Sequence, residues 1–206
     1  MEVIMEFATP VGMFYTDDKE LTTDIFSKVL DTAESSNEEV FFYLDQSRTT
    51  PDDLNTRECF APLVNHIEKK AERFSEEVLG VRKSDIALHS MWSNIHNSGS
   101  KHHYHQHPNA FLSGVYYPYI PECKKPGNIV FVDPRQAKNM VYADFFKSSC
   151  ISNRNIWVTP ETGLLLLFPS WLEHGTDPFI GFDDQKRVSI SFNYQLRSCT
   201  YKTMRI

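Results

Sequence analysis

Two stretches before residue 80 repeat their apolar positions with the period of a helix. Leu21, Ile25, Phe26, Val29, Leu30 and Ala33 fall on one face of the segment Leu21–Ala33. Phe60, Val64, Ile67, Ala71, Phe74 and Val78 recur at alternating gaps of four and three, and Gly80 stands where a helix stop is expected. Past Gly80 the period shortens to two. Ile86–Ile95, His103–His107, Leu112–Tyr119, Asn128–Val132, Ile156–Val158, Gly163–Phe168 and Val188–Leu196 read as strands separated by Pro, Gly and Asn. The alternation is cleanest in Arg187–Tyr194. Val188, Ile190, Phe192 and Tyr194 share one face, and Arg187, Ser189, Ser191 and Asn193 share the other. Such a strand packs outward on apolar residues and turns a polar face inward.

This pattern predicts a mainly β protein with flanking helices, a sandwich or barrel with both early helices on one outer face. No repeat or linker interrupts it. The expected organisation is therefore a single domain, residues 1–206, with a helical support region at 1–80 and a β-barrel core at 81–206. A length of 206 residues suffices for one substantial core. The net charge of −6 argues against a sequence-independent nucleic-acid binder. No apolar run approaches the roughly 18 residues of a membrane span, and MEVIMEFATP lacks a signal-peptide layout. Cys59, Cys123, Cys150 and Cys199 lie far apart without a CxxC pair, the usage of free thiols in the cytoplasm.

Histidine is unevenly spread. His96, His102, His103, His105 and His107 fall within twelve positions, and of the eight only His174 comes later. A solvated polar loop is the plain reading. In an extended segment, however, His103, His105 and His107 point the same way, with neighbours in that series roughly 6–7 Å apart. Two such imidazoles can converge on one ion, which makes His-x-His a chelating unit.

The segments MWSNI (91–95), HQHPNAFLSGVYY (105–117), GLLLLFPSWLEHGTDPF (163–179) and RVSISFN (187–193) carry a resemblance over nearly the whole chain. The sequence resembles the iron(II)/2-oxoglutarate oxygenases of the prolyl-hydroxylase-like branch, nearest a group carried by marine bacteria and their phages. The resemblance implies a double-stranded β-helix (jelly-roll) barrel, Fe(II) as metal and 2-oxoglutarate as co-substrate. By position it makes His105 the first metal ligand and His174 the distal one. Arg187, with Ser189 completing an Arg-x-Ser pair, matches the arginine that binds the co-substrate's tail carboxylate. Tyr117 matches a tyrosine that helps bind the same group, and Asn94 would face its other end.

His107 departs from the pattern, standing where the family places a carboxylate. Three imidazoles are the expected ligand set, with Asp133 and Asp177 as alternative donors, and such a set also suits zinc, copper and nickel. A cupin-like tri-histidine metalloenzyme without 2-oxoglutarate is the rival enzyme, and a zinc-stapled β-sandwich binding module is the rival outside catalysis. Trp92, Trp157 and Trp171 are expected in the core, with Trp171 alternatively at the mouth of the site. Asp133–Asn155 reads as a lid or substrate loop, with Arg135 near the site. Gly114 and Gly127 are expected where backbone approaches closely. The substrate is expected to be a small molecule or a peptide. Its identity and the oligomeric state are not written in the sequence.

Overall fold

The computed structural model describes residues 7–35, 41–42, 47–135, 144–147, 149 and 152–198. Cys150, Cys199 and much of the expected lid loop lie outside these, while Cys59 and Cys123 are free thiols. Helix α1 (Lys19–Ser35) begins where the Asp18 carboxylate accepts the Leu21 N–H at 2.9 Å, a side-chain cap on an otherwise open donor. It buries Ile25, Val29 and Ala33 at four-residue spacing. Helix α2 (Ala61–Glu77) buries Leu63, Ile67, Ala71 and Phe74. Gly80, at φ +66°, takes the left-handed turn after it. The helix therefore stops short of Val78, which is exposed rather than on the expected apolar stripe.

Among the described residues, ten strands form two antiparallel sheets. The larger takes the order β1 (Gly12–Tyr15), β8 (Leu164–Pro169), β5 (Leu112–Tyr119), β10 (Arg187–Leu196), β4 (Ile86–His96), β3 (Arg48–Thr49), β2 (Phe41–Phe42). The smaller is β7 (Asn155–Val158), β6 (Ile129–Val132), β9 (His174–Thr176). Both helices cover the outer face of the large sheet. Val188, Ile190, Phe192 and Tyr194 of β10 join Ile25, Val29, Ile67 and Phe74 in one buried cluster. A second cluster joins the two sheets, with Val115, Leu166 and Phe168 packed against Ile129 and Phe131. The period-two reading of β10 thus holds face by face.

One expected strand does not form. His103–His107 makes only an isolated bridge, His105 to His174. The His107 N–H goes instead to the Ser170 carbonyl at 3.0 Å, and the chain then turns through Pro108 and Asn109, the latter at φ +66°. Two separate partners for two adjacent pairing positions leave no continuous ladder. Strands β1, β3 and β9 are too short to show a period and go unread in the sequence. Pro118 sits inside β5 at a register shift, where Val188 pairs Tyr119 and Ile190 pairs Tyr116. The bulge tolerates its missing N–H.

Candidate metal centre and its cavity

Between the two sheets lies a cavity of about 530 Å³. His105, His107, His174, Arg187, Ser189, Tyr117 and Asn94, the seven residues singled out in the sequence, all line it. The histidines occupy one side. Each of His105, His107 and His174 offers a ring nitrogen within 4.8 Å of the others'. Asp133 and Asp177, the alternative donors, are not in this group. Asp133 binds the Arg135 guanidinium at 2.7 Å, and Asp177 accepts from Asn128 Nδ2 at 3.2 Å.

Backbone pairing brings the rings together. His105 and His174 exchange N–H···O=C bonds of 2.9 and 3.0 Å, which sets their rings 4.5 Å apart. Each ring is then oriented from its own chain. His105 Nδ1 lies 2.7 Å from the His103 carbonyl and His174 Nδ1 lies 2.9 Å from the Leu172 carbonyl. A carbonyl only accepts, so each Nδ1 holds the proton and each Nε2 keeps its lone pair for a cation. His107 Nε2 stands 3.3 Å from His174 Nε2. Two donors about 2.1 Å from one ion lie roughly 3.0–3.4 Å apart, so this pair needs little movement to share it.

The protonation states agree. Burial, then the charge of His105, pulls His174 down to about 3, against the opposing bond to Leu172. Burial and His105 pull His107 down to about 4. Near neutral pH both imidazoles are unprotonated, the form that binds metal.

Arg187, which is 1% exposed, lines the same cavity from the start of β10. Its Nη1 donates to the carbonyls of Gly127 (2.8 Å) and Pro126 (3.1 Å), while Nε is buried with no hydrogen-bond partner. Gly127 is glycine by necessity: φ is +74°, and a Cβ there would sit 2.6 Å from Arg187 Nη1. Among the described residues no carboxylate pairs with this guanidinium. Burial pushes the Tyr117 phenol up to about 12, against the pull of Arg187, so it stays a neutral donor. Ser189 and Asn94 are register partners on β10 and β4, and Asn94 Nδ2 donates to Ser191 Oγ at 3.0 Å.

Thr176 and Lys101 carried no signal of their own in the sequence, and His96 and His102 entered it only as members of the histidine cluster. Thr176, Lys101 and His102 line the cavity because the segment ahead of His105 is laced onto β9. His96 lies on β4 beside Arg187 with both ring nitrogens unpartnered, its ring 4.6 Å from that of His102. Trp92 also lines the cavity, its ring 5.9 Å from His107, while Trp157 and Trp171 are exposed rather than in the core. Aromatic side chains default to burial in a sequence reading; these two sit on the small sheet's edge strand and beside a turn. Trp171 and Glu173 flank a shallow cleft reaching His105, and Arg135 lines another cleft beyond Asp133.

The family model described as "Putative 2OG-Fe(II) oxygenase" matches residues 90–193. Among curated proteins none matches the chain in sequence. Solved structures of similar shape include a prolyl-4-hydroxylase from Pseudomonas putida, with TM-score 0.62, 12% identity, and coverage of 92% of this chain and 94% of that one. A prolyl hydroxylase from Trichoplax adhaerens, in complex with a hypoxia-inducible-factor peptide fragment, gives 0.65, 13%, 90% and 83%. HygX from Streptomyces hygroscopicus, with nickel and 2-oxoglutarate bound, gives 0.61, 14%, 92% and 84%. These likenesses establish the fold as the double-stranded β-helix. The matched segment spans half of the chain, from the β4 residues beside the cavity to the inner face of β10, and the protein belongs to the 2OG-Fe(II) oxygenases.

Proposed function

We propose that this oxygenase uses Fe(II) and 2-oxoglutarate to hydroxylate an organic substrate, a small molecule or a peptide, with release of succinate and CO2. The observation that carries this reading is the Arg187 guanidinium. It is buried, has no acidic partner among the described residues, and shares one cavity with three convergent imidazoles. A buried cation without a counter-ion is strongly unfavourable. A dicarboxylate that places one end on Arg187 and the other at the histidines relieves it. The donor set fits the metal as well: three imidazoles, two of them with Nδ1 held by a carbonyl so that Nε2 is the nitrogen left for coordination.

In this reading His105, His107 and His174 hold the Fe(II). Bound there, the metal supplies, with 2-oxoglutarate and O2, the oxidising power that cleaves a substrate C–H bond. The chain's own residues position and shield. Arg187 receives the tail carboxylate through its uncommitted N–H groups, with the Tyr117 phenol and Ser189 hydroxyl as further donors. Asn94 faces the other end of the molecule. The small sheet closes over the site through Ile129 and Phe131 and keeps it poor in water.

Arg187→Ala tests the reading. We expect the affinity of the metal-loaded protein for 2-oxoglutarate, measured by calorimetry, to fall at least tenfold. Substrate-free succinate formation should fall with it. Lys in place of Arg should rescue poorly, because an ammonium lacks the planar fork. Unchanged 2-oxoglutarate binding in Arg187→Ala would return the site to the cupin-like tri-histidine alternative, in which substrate alone meets the metal.

A further inference from the structure

Among the described residues, the cavity lined by the three histidines has no Asp or Glu in its lining. The carboxylates of Asp133 and Glu173 line a different, shallow cleft that shares only His105 with it. Two permanent cations do line it, Arg187 at the buried end and Lys101 at the exposed rim. Lys101 makes no ion pair among the described residues.

The segment that bears Lys101 is fixed in place. Gly99 donates to the Phe179 carbonyl at 2.7 Å and Phe179 donates back to Ser100 at 3.0 Å. His102 donates to Thr176 Oγ1 at 2.8 Å, and Thr176 donates back to the His102 carbonyl at 3.0 Å. The backbone is therefore tied to the β9 segment immediately before and immediately after Lys101. Its side chain reaches the rim of the cavity from a rigid base rather than from a loose loop.

The charge balance of the loaded site follows, resting on the function proposed above. Three imidazoles bring no negative charge, so a bound Fe(II) would keep both of its positive charges; of the two carboxylates of 2-oxoglutarate, one would offset Arg187 and the other would meet the metal. One positive charge of the metal and that of Lys101 then remain, with no acidic group among the described lining residues to offset them. A ligand set with one carboxylate would have lowered this total by one. The positive surplus of the lining favours an anion from solution over a cation.

We infer that the substrate carries an oxyanion, a carboxylate, phosphate or sulfate group, and that Lys101 is the residue that binds it. The group docks on the Lys101 ammonium while the carbon to be oxidised lies toward the histidines. Cationic molecules of the same shape are disfavoured, because no acid stands among the described lining residues to receive them.

The test uses the full chain loaded anaerobically with Fe(II) and saturating 2-oxoglutarate, whose visible charge-transfer band reports on the metal's surroundings. Sulfate, acetate and the uncharged isostere acetamide are titrated at constant ionic strength. We expect a saturable shift of the band with sulfate, acetate or both, and none with acetamide. Whichever anion gives the tighter response identifies the class of group. Lys101→Gln should weaken that response at least tenfold, and Lys101→Arg should restore it to within about threefold. No response to either anion, or equal responses in wild type and Lys101→Gln, overturns the inference. A missing charge-transfer band on adding 2-oxoglutarate is a separate result, which sinks the proposed function rather than the role of Lys101.

Discussion

Histidine 96 shows how one side chain can make the whole protein sensitive to acid. It is fully buried beside Arg187 with neither ring nitrogen bonded. Burial first, then the charges of Arg187 and His102, holds its pKa well below the usual 6.5. The unfolded chain therefore takes up a proton below about pH 6.5 that the folded chain refuses, and stability falls as pH drops through that region. His107 and His174 add to the slope with the same sign in the metal-free protein. We expect Tm of the metal-free protein to decline from pH 7 to pH 5. His96→Leu should flatten the profile by up to about 1.4 kcal/mol per pH unit. A variant profile parallel to that of the wild type would mean that His96 is protonated in the folded state. At this scale the sequence was informative wherever the residue type itself narrows the chemistry, as with the histidines and Arg187. Lys101 and Thr176 carry no such mark, because their place depends on how distant segments are laced together.

At the level of elements, the strands divide their labour by face. On β10, Val188, Ile190 and Phe192 pack under the helices, while Arg187, Ser189 and Ser191 face the cavity. Stability and chemistry are thus separable along a single strand. Phe74 of α2 belongs wholly to the helix side and is 4% exposed. Phe74→Ala should cost about 3–5 kcal/mol, read as a lowered denaturation midpoint. The folded fraction should still bind one metal ion, and a lost metal site in that fraction would show that the two faces are coupled. The same separation explains what could be read in advance. A period of two over ten residues is legible in β10, and a period near 3.6 is legible in α1 and α2. The three residues of β9, which supply His174, leave no period to read. The histidine segment before β5 looks like a strand and behaves as a hook, because the N–H groups of His105 and His107 find partners in different segments, His174 and Ser170.

For the molecule as a whole, the cavity joins two sheets that meet only through packing and loops, so a bound ion and co-substrate act as cross-links between them. Ligands that bind only the folded state stabilise it by mass action, about 2.7 kcal/mol at a hundredfold excess over Kd. For a chain of this size that corresponds to a rise in Tm of roughly 5–10 °C. Chelation should lower Tm, and Ni(II) should restore it. 2-Oxoglutarate should add a further rise that depends on the metal being present. An equal rise from 2-oxoglutarate without metal would show that its binding rests on Arg187 alone. No helix of the described residues is long and apolar enough to cross a membrane.

The acceptors that aim His105 and His174 are main-chain oxygens, each two positions earlier in the same segment. Every amino acid carries that oxygen, so no exchange of the side chain at 103 or 172 can delete it. The aim of both rings is thereby insulated from mutation at the positions that provide it. A substitution survey would pass over residue 103 and score Leu172 only for its packing, although their backbones decide which ring nitrogen is left for a cation.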